Sequence, residues 1–111
     1  MHESTEPIAL TEGVFYILLS LYKPMHGYGM IRNIETLSNQ RVTLGAGTLY
    51  GAINVLLERR WIRALPGELM ARKKEYEITE TGKAAVSREI ARLEELLAAG
   101  KAIHQEGSDE A

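Results

Sequence analysis

The spacing of apolar residues changes twice along the chain, and the order of these patterns limits the folds available to it. Up to Arg60, three segments carry apolar residues every three or four positions, the period of a helix with one buried face. From Trp61 to Ile78 the pattern fits two short strands separated by Pro66-Gly67. One long helical pattern follows. The sequence therefore predicts a mainly α-helical protein with a small β-hairpin.

The first two predicted helices have recognisable ends. Residues 10–22 form the first, with Thr11 as the expected N-cap, because its hydroxyl can accept a backbone N–H of the first turn. Lys23-Pro24 ends this helix, since proline disfavours a helical conformation in the residue before it. The second helix begins at His26-Gly27-Tyr28-Gly29, and Ser38-Asn39 close it.

The third predicted helix follows a turn at Gly45-Ala46-Gly47. Thr48 is the expected cap, and the helix continues to about Arg60. Its apolar residues share one face: Leu49, Ala52, Ile53, Leu56 and Leu57. The two strands are expected at residues 61–65 and about 72–78.

The last helix is expected from a Thr79 cap to about Ile103. A heptad-like row of apolar residues runs along it: Val86, Ile90, Leu93 and Leu97. A helix beyond a completed three-helix core must bury such a row against something, and a second copy of the chain is the expected partner. The alternative, that the helix folds back on its own domain, is expected for part of the row near Ala84 and Ala85.

Three helices followed by a hairpin are typical of a winged helix-turn-helix, in which the third helix reads DNA and the hairpin is the wing. The expected organisation is a winged-helix domain over residues 10–78 and a dimerisation helix over 79–103. Residues 1–9 and 104–111 are expected to be flexible ends.

Charge is unevenly distributed. The chain carries a net charge of −2, but residues 41–76 carry seven basic and three acidic side chains. A basic middle between acidic ends is compatible with a local phosphate-binding surface. The net acidity leaves a second interpretation open, in which a winged helix binds another protein and never contacts DNA.

Eight residues are candidates for DNA contact. The start of the third helix suits a phosphate, and hydroxyls there can add hydrogen bonds. Asn54 lies four residues after Tyr50 and can bond to an adenine edge, although an exposed Asn is as often only solvated. Thr48 is also a cap, and Tyr50 could instead be a packed ring. The full set is Arg41, Gly47, Thr48, Tyr50, Asn54, Arg72, Lys73 and Lys74.

Other functions find little support in the sequence. The chain has no cysteine, and its three histidines are far apart, so neither a zinc site nor a Cys–His nucleophile is expected. No paired acid site or phosphate-binding glycine motif is present. We expect no enzyme activity, no cofactor, no bound metal and, without an apolar run of membrane-spanning length, a cytoplasmic location.

Several motifs resemble those of the PadR family of bacterial transcriptional regulators. They are His26-Gly27-Tyr28-Gly29, Gly45-Ala46-Gly47-Thr48-Leu49-Tyr50, the run from Arg72 to Thr79, and Thr81-Gly82. The resemblance covers residues 10–103. It implies a homodimeric winged-helix repressor that binds double-stranded DNA and in which a single C-terminal helix makes the dimer contact. It also implies that a small aromatic molecule could act as an effector.

Overall fold

A computed structural model of the chain describes residues 9–66 and 74–110. The described part is mainly helical with one small antiparallel sheet, which confirms the predicted fold class. The helices are α1 (Glu12–Ser20), α2 (Gly27–Leu37), α3 (Ala46–Glu58) and α4 (Glu80–Glu110), and the strands are β1 (Met25–His26), β2 (Ile62–Ala64) and β3 (Glu75–Ile78).

The core is formed where α1, α2 and α3 pack together against the sheet and the first turns of α4. Its fully buried side chains come from every one of these helices and from β2: Ile17, Leu18, Leu21, Met30, Ile34, Leu49, Ile53, Leu56, Ile62 and Val86. The helical spacing of these residues in the sequence is what lets each helix present one apolar face to the same centre.

The first turns of α1 and α2 are both capped by side chains. Oγ1 of Thr11 accepts the backbone N–H of Val14 at 3.1 Å, which confirms the predicted cap. Nδ1 of His26 accepts the backbone N–H of Gly29 at 3.1 Å, so the imidazole does for α2 what the hydroxyl does for α1. The sequence had assigned His26 to the entry of α2 without identifying this bond.

The beginning of α3 corrects the sequence prediction. The helix starts at Ala46, with Gly45 as an extended N-cap and no side-chain capping bond. Residues 45–47 are therefore not a separate turn, and Thr48 is not the cap. The physical reason is that glycine is itself an acceptable N-cap residue, so the helix can begin two residues before Thr48.

At its other end, α3 closes with a tight backbone turn. Arg60 adopts a left-handed conformation with φ 60°. This turn lets the N–H of Trp61 donate to the carbonyl of Leu56 and the N–H of Arg60 to that of Leu57, both at 3.0 Å. The pair of bonds satisfies carbonyls that a helix end leaves free.

The sheet contains one strand more than the predicted hairpin. β1 pairs with β3, which also pairs with β2, so the strand order is β1-β3-β2. Met25 lies opposite Tyr76 in this register. Only two residues long, β1 carries no alternating pattern, and its pairing depends on a contact between residues about fifty positions apart.

α4 is longer than predicted. Thr79 caps it as expected: its Oγ1 accepts the N–H of Gly82 at 3.1 Å and donates to the carbonyl of Arg60 at 2.6 Å. The helix then continues to Glu110, so the expected end at Ile103 is wrong. Gly107 does not end it, because no glycine of the described chain has the positive φ that a glycine C-cap uses. Its 31 residues correspond to a rod of about 46 Å.

Candidate nucleic-acid interface

α3 presents two different faces. Leu49, Ile53 and Leu56 are buried on the side that packs against α2 and β2. On the opposite side, a stripe of small and polar residues is exposed to solvent: Gly47, Thr48, Gly51 and Asn54. Because positions 47, 51 and 54 recur at four and three residues, they lie along one line of the helix surface.

Two glycines leave the middle of this stripe open. A β-carbon built on Gly47 or on Gly51 has no atom of the described chain within 4 Å. Gly45, the N-cap, also offers no side-chain acceptor to the first N–H groups of α3. The helix therefore combines free N–H donors at its start with a surface that a duplex can approach closely, an arrangement that favours an anion such as a DNA phosphate.

Tyr50 lies at the edge of this surface and links it to α2. A β-carbon at Gly27 would be 2.3 Å from the Tyr50 hydroxyl oxygen, so the ring covers the first turn of α2. The side of the ring that faces away is open, and the residue is 46% exposed. Burial raises the pKa of Tyr76 in β3, and the nearby Tyr50 raises it further. One side of the Tyr50 ring is therefore packed, which was the alternative to a DNA contact in the sequence analysis, and the other side is open.

The basic candidates fall into three different situations. Arg41 is exposed but forms an ion pair with Glu12 of α1. Lys74, immediately before β3, is exposed. Arg72 and Lys73 lie outside the described residues, and their predicted contact with DNA stays a prediction.

Sequence reasoning overlooked two features of this region. Tyr28, next to Gly27 in the first turn of α2, is 64% exposed, and Glu12 of α1 contacts Arg41 in the loop before α3. The sequence does contain a signal for Tyr28, because this aromatic residue stands between the two glycines of the His26–Gly29 motif. The contact of Glu12 with Arg41 leaves no signal, because the two residues are brought together only by the packing of α1.

The predicted dimer row on α4 divides into two parts. Val86 is 2% exposed in the core of its own domain, so its assignment to a dimer surface is wrong; the first turns of α4 pack on α1. Ile90, Leu93 and Leu97 are between 41% and 58% exposed. The part of α4 beyond its own domain therefore carries an apolar surface that no described residue covers.

A largely buried ion pair within α4 lies beside the start of α1. The Arg92 guanidinium donates to both carboxylate oxygens of Glu89, with Nε–Oε1 2.8 Å and Nη2–Oε2 2.7 Å. Glu89 is only 4% exposed, and the backbone N–H of Leu10 lies near its carboxylate. These bonds outweigh burial, so the Arg92 guanidinium and the Leu10 N–H hold the pKa of Glu89 below its ordinary value.

Beside this pair, a cavity of about 340 Å³ lies between α1 and α4. Its walls combine apolar and aromatic side chains with charged ones: Leu10, Glu12, Phe15, Tyr16, Glu89, Arg92 and Leu93. Among residues 9–66 and 74–110, no group of three or more His, Cys, Asp or Glu lies close enough to bind a metal ion. In the same residues no helix is long and apolar enough to span a membrane.

Three packed helices, with the third exposing a polar face beside a small antiparallel sheet, define a winged helix-turn-helix. The chain belongs to the PadR-like family of transcriptional regulators, whose family model matches residues 14–88. It is accordingly a DNA-binding transcriptional regulator and not an enzyme. The predicted family is confirmed.

Solved structures of related regulators have the same fold. A transcriptional regulator from Clostridium thermocellum is 23% identical with a TM-score of 0.65, and the match covers 85% of this chain and 90% of that one. A PadR family regulator from Eggerthella lenta is 22% identical with a TM-score of 0.63, covering 84% and 80%. A PadR family regulator from Clostridium difficile is 16% identical with a TM-score of 0.66, covering 81% and 96%. No curated protein matches the sequence significantly.

Proposed function

We propose that the protein is a homodimeric repressor that reads a nearly palindromic operator, with one α3 helix of each subunit in the major groove. The proposal is carried by the open stripe on α3. There Gly47 and Gly51, which no other part of the described chain covers, alternate with the exposed polar side chains of Thr48 and Asn54. A reading helix needs such a surface, because base edges must come within hydrogen-bonding distance of its side chains.

Each candidate residue has a specific role in this proposal. Asn54 reads a base edge, since its amide can both donate to and accept from adenine. Gly47 and Thr48, at the start of α3, contact phosphates, and the open side of Tyr50 adds a hydroxyl. The wing supplies charge from Arg72, Lys73 and Lys74, and Arg41 supplies charge beside α3.

Dimerisation through α4 completes the proposal. Ile90, Leu93 and Leu97 form the contact between the two subunits, and Leu96 and Ile103, also exposed, widen it. In a two-fold dimer these helices set the distance between the two α3 helices. The operator half-sites are then expected about one helical turn apart, roughly 10 base pairs, or a multiple of this.

The cavity between α1 and α4 supports the further proposal of a small aromatic effector that relieves repression. Phe15 and Tyr16 offer aromatic walls, and the cavity adjoins Leu93 of the proposed dimer contact. A ligand there would change the position of α4 relative to its own domain and so the separation of the two α3 helices. Operator titrations with and without candidate aromatic compounds test this; an affinity unchanged by every compound that binds contradicts it.

The DNA-binding proposal is tested with the promoter fragment immediately upstream of the protein's own gene, by fluorescence anisotropy at several salt concentrations. We expect tight binding that weakens steeply with salt, because phosphate contacts release counterions. Gly51→Glu places a negative charge on the open stripe without a steric clash, and it is expected to abolish binding.

Gly107→Glu is the matched control. It introduces the same charge at another helical glycine without neighbours, near the end of α4, and should leave the affinity nearly unchanged. Equal affinity of the Gly51→Glu variant and the unmodified protein would contradict the assignment of α3 as the reading helix. Binding independent of salt would contradict DNA contact through phosphates.

A further inference from the structure

The ion pair between Glu12 and Arg41 joins two parts of the chain that serve different purposes. Nη2 of Arg41 contacts Oε2 of Glu12, and the two side chains are 69% and 47% exposed. Glu12 belongs to the first turn of α1, whereas Arg41 lies in the loop that leads into α3. A carboxylate of the core-forming helix thus holds a cation beside the proposed DNA surface.

The backbone that carries Glu12 is positioned by its neighbours. Thr11 caps α1 through the N–H of Val14, and α1 packs on α4. Gly13 leaves room for the side chain of Leu44, which would be 3.5 Å from a β-carbon there. The first turn of α1 is therefore held against both α4 and the loop before α3, and the carboxylate stays within reach of Arg41.

Arg41 is also within reach of DNA bound to α3. It lies four residues before Gly45, the N-cap of α3, so at most about 14 Å of extended chain separates them. A duplex whose phosphate lies at the start of α3 carries a further phosphate on the same strand for every ~3.4 Å of helix axis. The exposed guanidinium can therefore contact either Glu12 or the DNA backbone.

We infer that Glu12 competes with DNA phosphates for Arg41 and thereby lowers the affinity of the protein for any duplex. The inference rests on the proposed function, because it requires Arg41 to face DNA. Exchange is feasible because a solvent-exposed ion pair is weak and screened by salt. For the same reason the effect is modest: removal of the carboxylate strengthens DNA binding about two- to five-fold.

The test is a double-mutant cycle. The affinity of Glu12→Gln, Arg41→Gln and the double variant is measured by anisotropy at low salt. The probe is a duplex of unrelated sequence, roughly 30 base pairs or three helical turns. Phosphate contacts are independent of sequence, so the operator is not required. Glu12→Gln should bind two- to five-fold more tightly, Arg41→Gln more weakly, and the double variant like Arg41→Gln alone.

Glu80→Gln is the matched control, since Glu80 is also in the first turn of a helix and in an exposed ion pair, with Lys83. It removes the same charge away from Arg41 and should change the affinity little. Thermal unfolding of each variant confirms that the fold is retained; loss of the fold in Glu12→Gln would overturn the inference by showing that the carboxylate is needed for folding.

Four other results separate the inference from the function on which it rests. An equal gain of affinity in Glu12→Gln and Glu80→Gln, or a gain that persists in the Arg41→Gln background, overturns the competition and leaves DNA binding intact. An Arg41→Gln variant that binds as tightly as the unmodified protein also overturns it. Failure of the unmodified protein to bind any duplex would overturn the proposed function itself.

Discussion

The ring of Tyr50 in α3 lies on the backbone of Gly27 in α2, where a β-carbon would be 2.3 Å from the phenolic oxygen and 2.7 Å from the ring carbon that bears it. This contact joins two of the four motifs that carry the family resemblance. The glycine of His26-Gly27-Tyr28-Gly29 provides the space that the tyrosine at the end of Gly47-Thr48-Leu49-Tyr50 occupies.

Gly27→Ala is expected to displace the Tyr50 ring and to destabilise the protein by about 1 kcal/mol, at the low end for overpacking because the ring is half-exposed and can move. Urea unfolding measures the change. In a Tyr50→Ala background the same substitution should cost close to nothing, since its obstacle is gone. An equal cost in both backgrounds would show that the two residues are not coupled.

Gly82→Ala is expected to be more damaging, by about 2–3 kcal/mol. Its β-carbon would be 2.1 Å from the backbone carbonyl oxygen of Trp61, which cannot swing away as a side chain can. Gly51→Ala serves as the control: the same change at an open helical position should stabilise α3 by up to about 1 kcal/mol. Thermal and urea unfolding of both variants should show effects of opposite sign.

The ion pair of Glu89 predicts a specific dependence of stability on pH. Because Arg92 and Leu10 lower the pKa of Glu89 in the folded protein, the unfolded chain takes up its proton first as the pH falls. The stabilisation by ionised Glu89 is therefore complete above pH 4.5, the ordinary pKa of this carboxyl group. It is lost as the pH falls through the lower pKa that Glu89 has in the folded protein.

Glu89→Gln should consequently have a lower melting temperature than the unmodified protein at pH 7, and the difference should shrink as the pH is lowered below 4.5. Glu94→Gln, an exposed change on the same helix, is the control and should follow the unmodified protein at every pH. If the difference in melting temperature between Glu89→Gln and the unmodified protein stayed constant throughout the acid range, the effect of Glu89 would come from packing and not from its charge.

Arg60→Gly is expected to stabilise the protein by about 1 kcal/mol. Arg60 is held at φ 60°, which costs a residue with a β-carbon roughly 1–2 kcal/mol and costs glycine almost nothing. Glu58→Gly, inside the last turn of α3, should instead destabilise it by about 1 kcal/mol. Chemical denaturation distinguishes the two, and a loss of stability in Arg60→Gly would disprove the argument from backbone strain.

Leu97→Lys is expected to weaken the proposed dimer at least ~10-fold, because it puts a charge into an apolar contact. Analytical ultracentrifugation measures the dissociation constant. Leu37→Lys is the matched control, because Leu37 in α2 is 47% exposed and Leu97 is 58% exposed. Leu37 is not on α4, so its substitution should leave the association unchanged. A solely monomeric unmodified protein would contradict the whole arrangement.

Much of the fold follows from local pattern. The apolar stripe of each helix and the Thr11 and Thr79 caps are properties of short segments, so they were predictable without knowledge of the rest of the chain. The start of α3 was not, because glycine and threonine are both acceptable caps and only the assembled loop selects between them. The end of α4 was misjudged because the residues after Ile103 were expected to be a flexible end, whereas the helix continues through them to Glu110.

The candidate site divides in the same way. The apolar and polar faces of the third helix could be predicted from the sequence, because helical periodicity sorts residues by spacing alone. Three other relationships depend on the assembled fold: Tyr50 lies on Gly27, Glu12 contacts Arg41, and Val86 belongs to the core while Leu97 does not. These are contacts between segments distant along the chain, and their existence depends on how the helices pack rather than on any pattern within one of them.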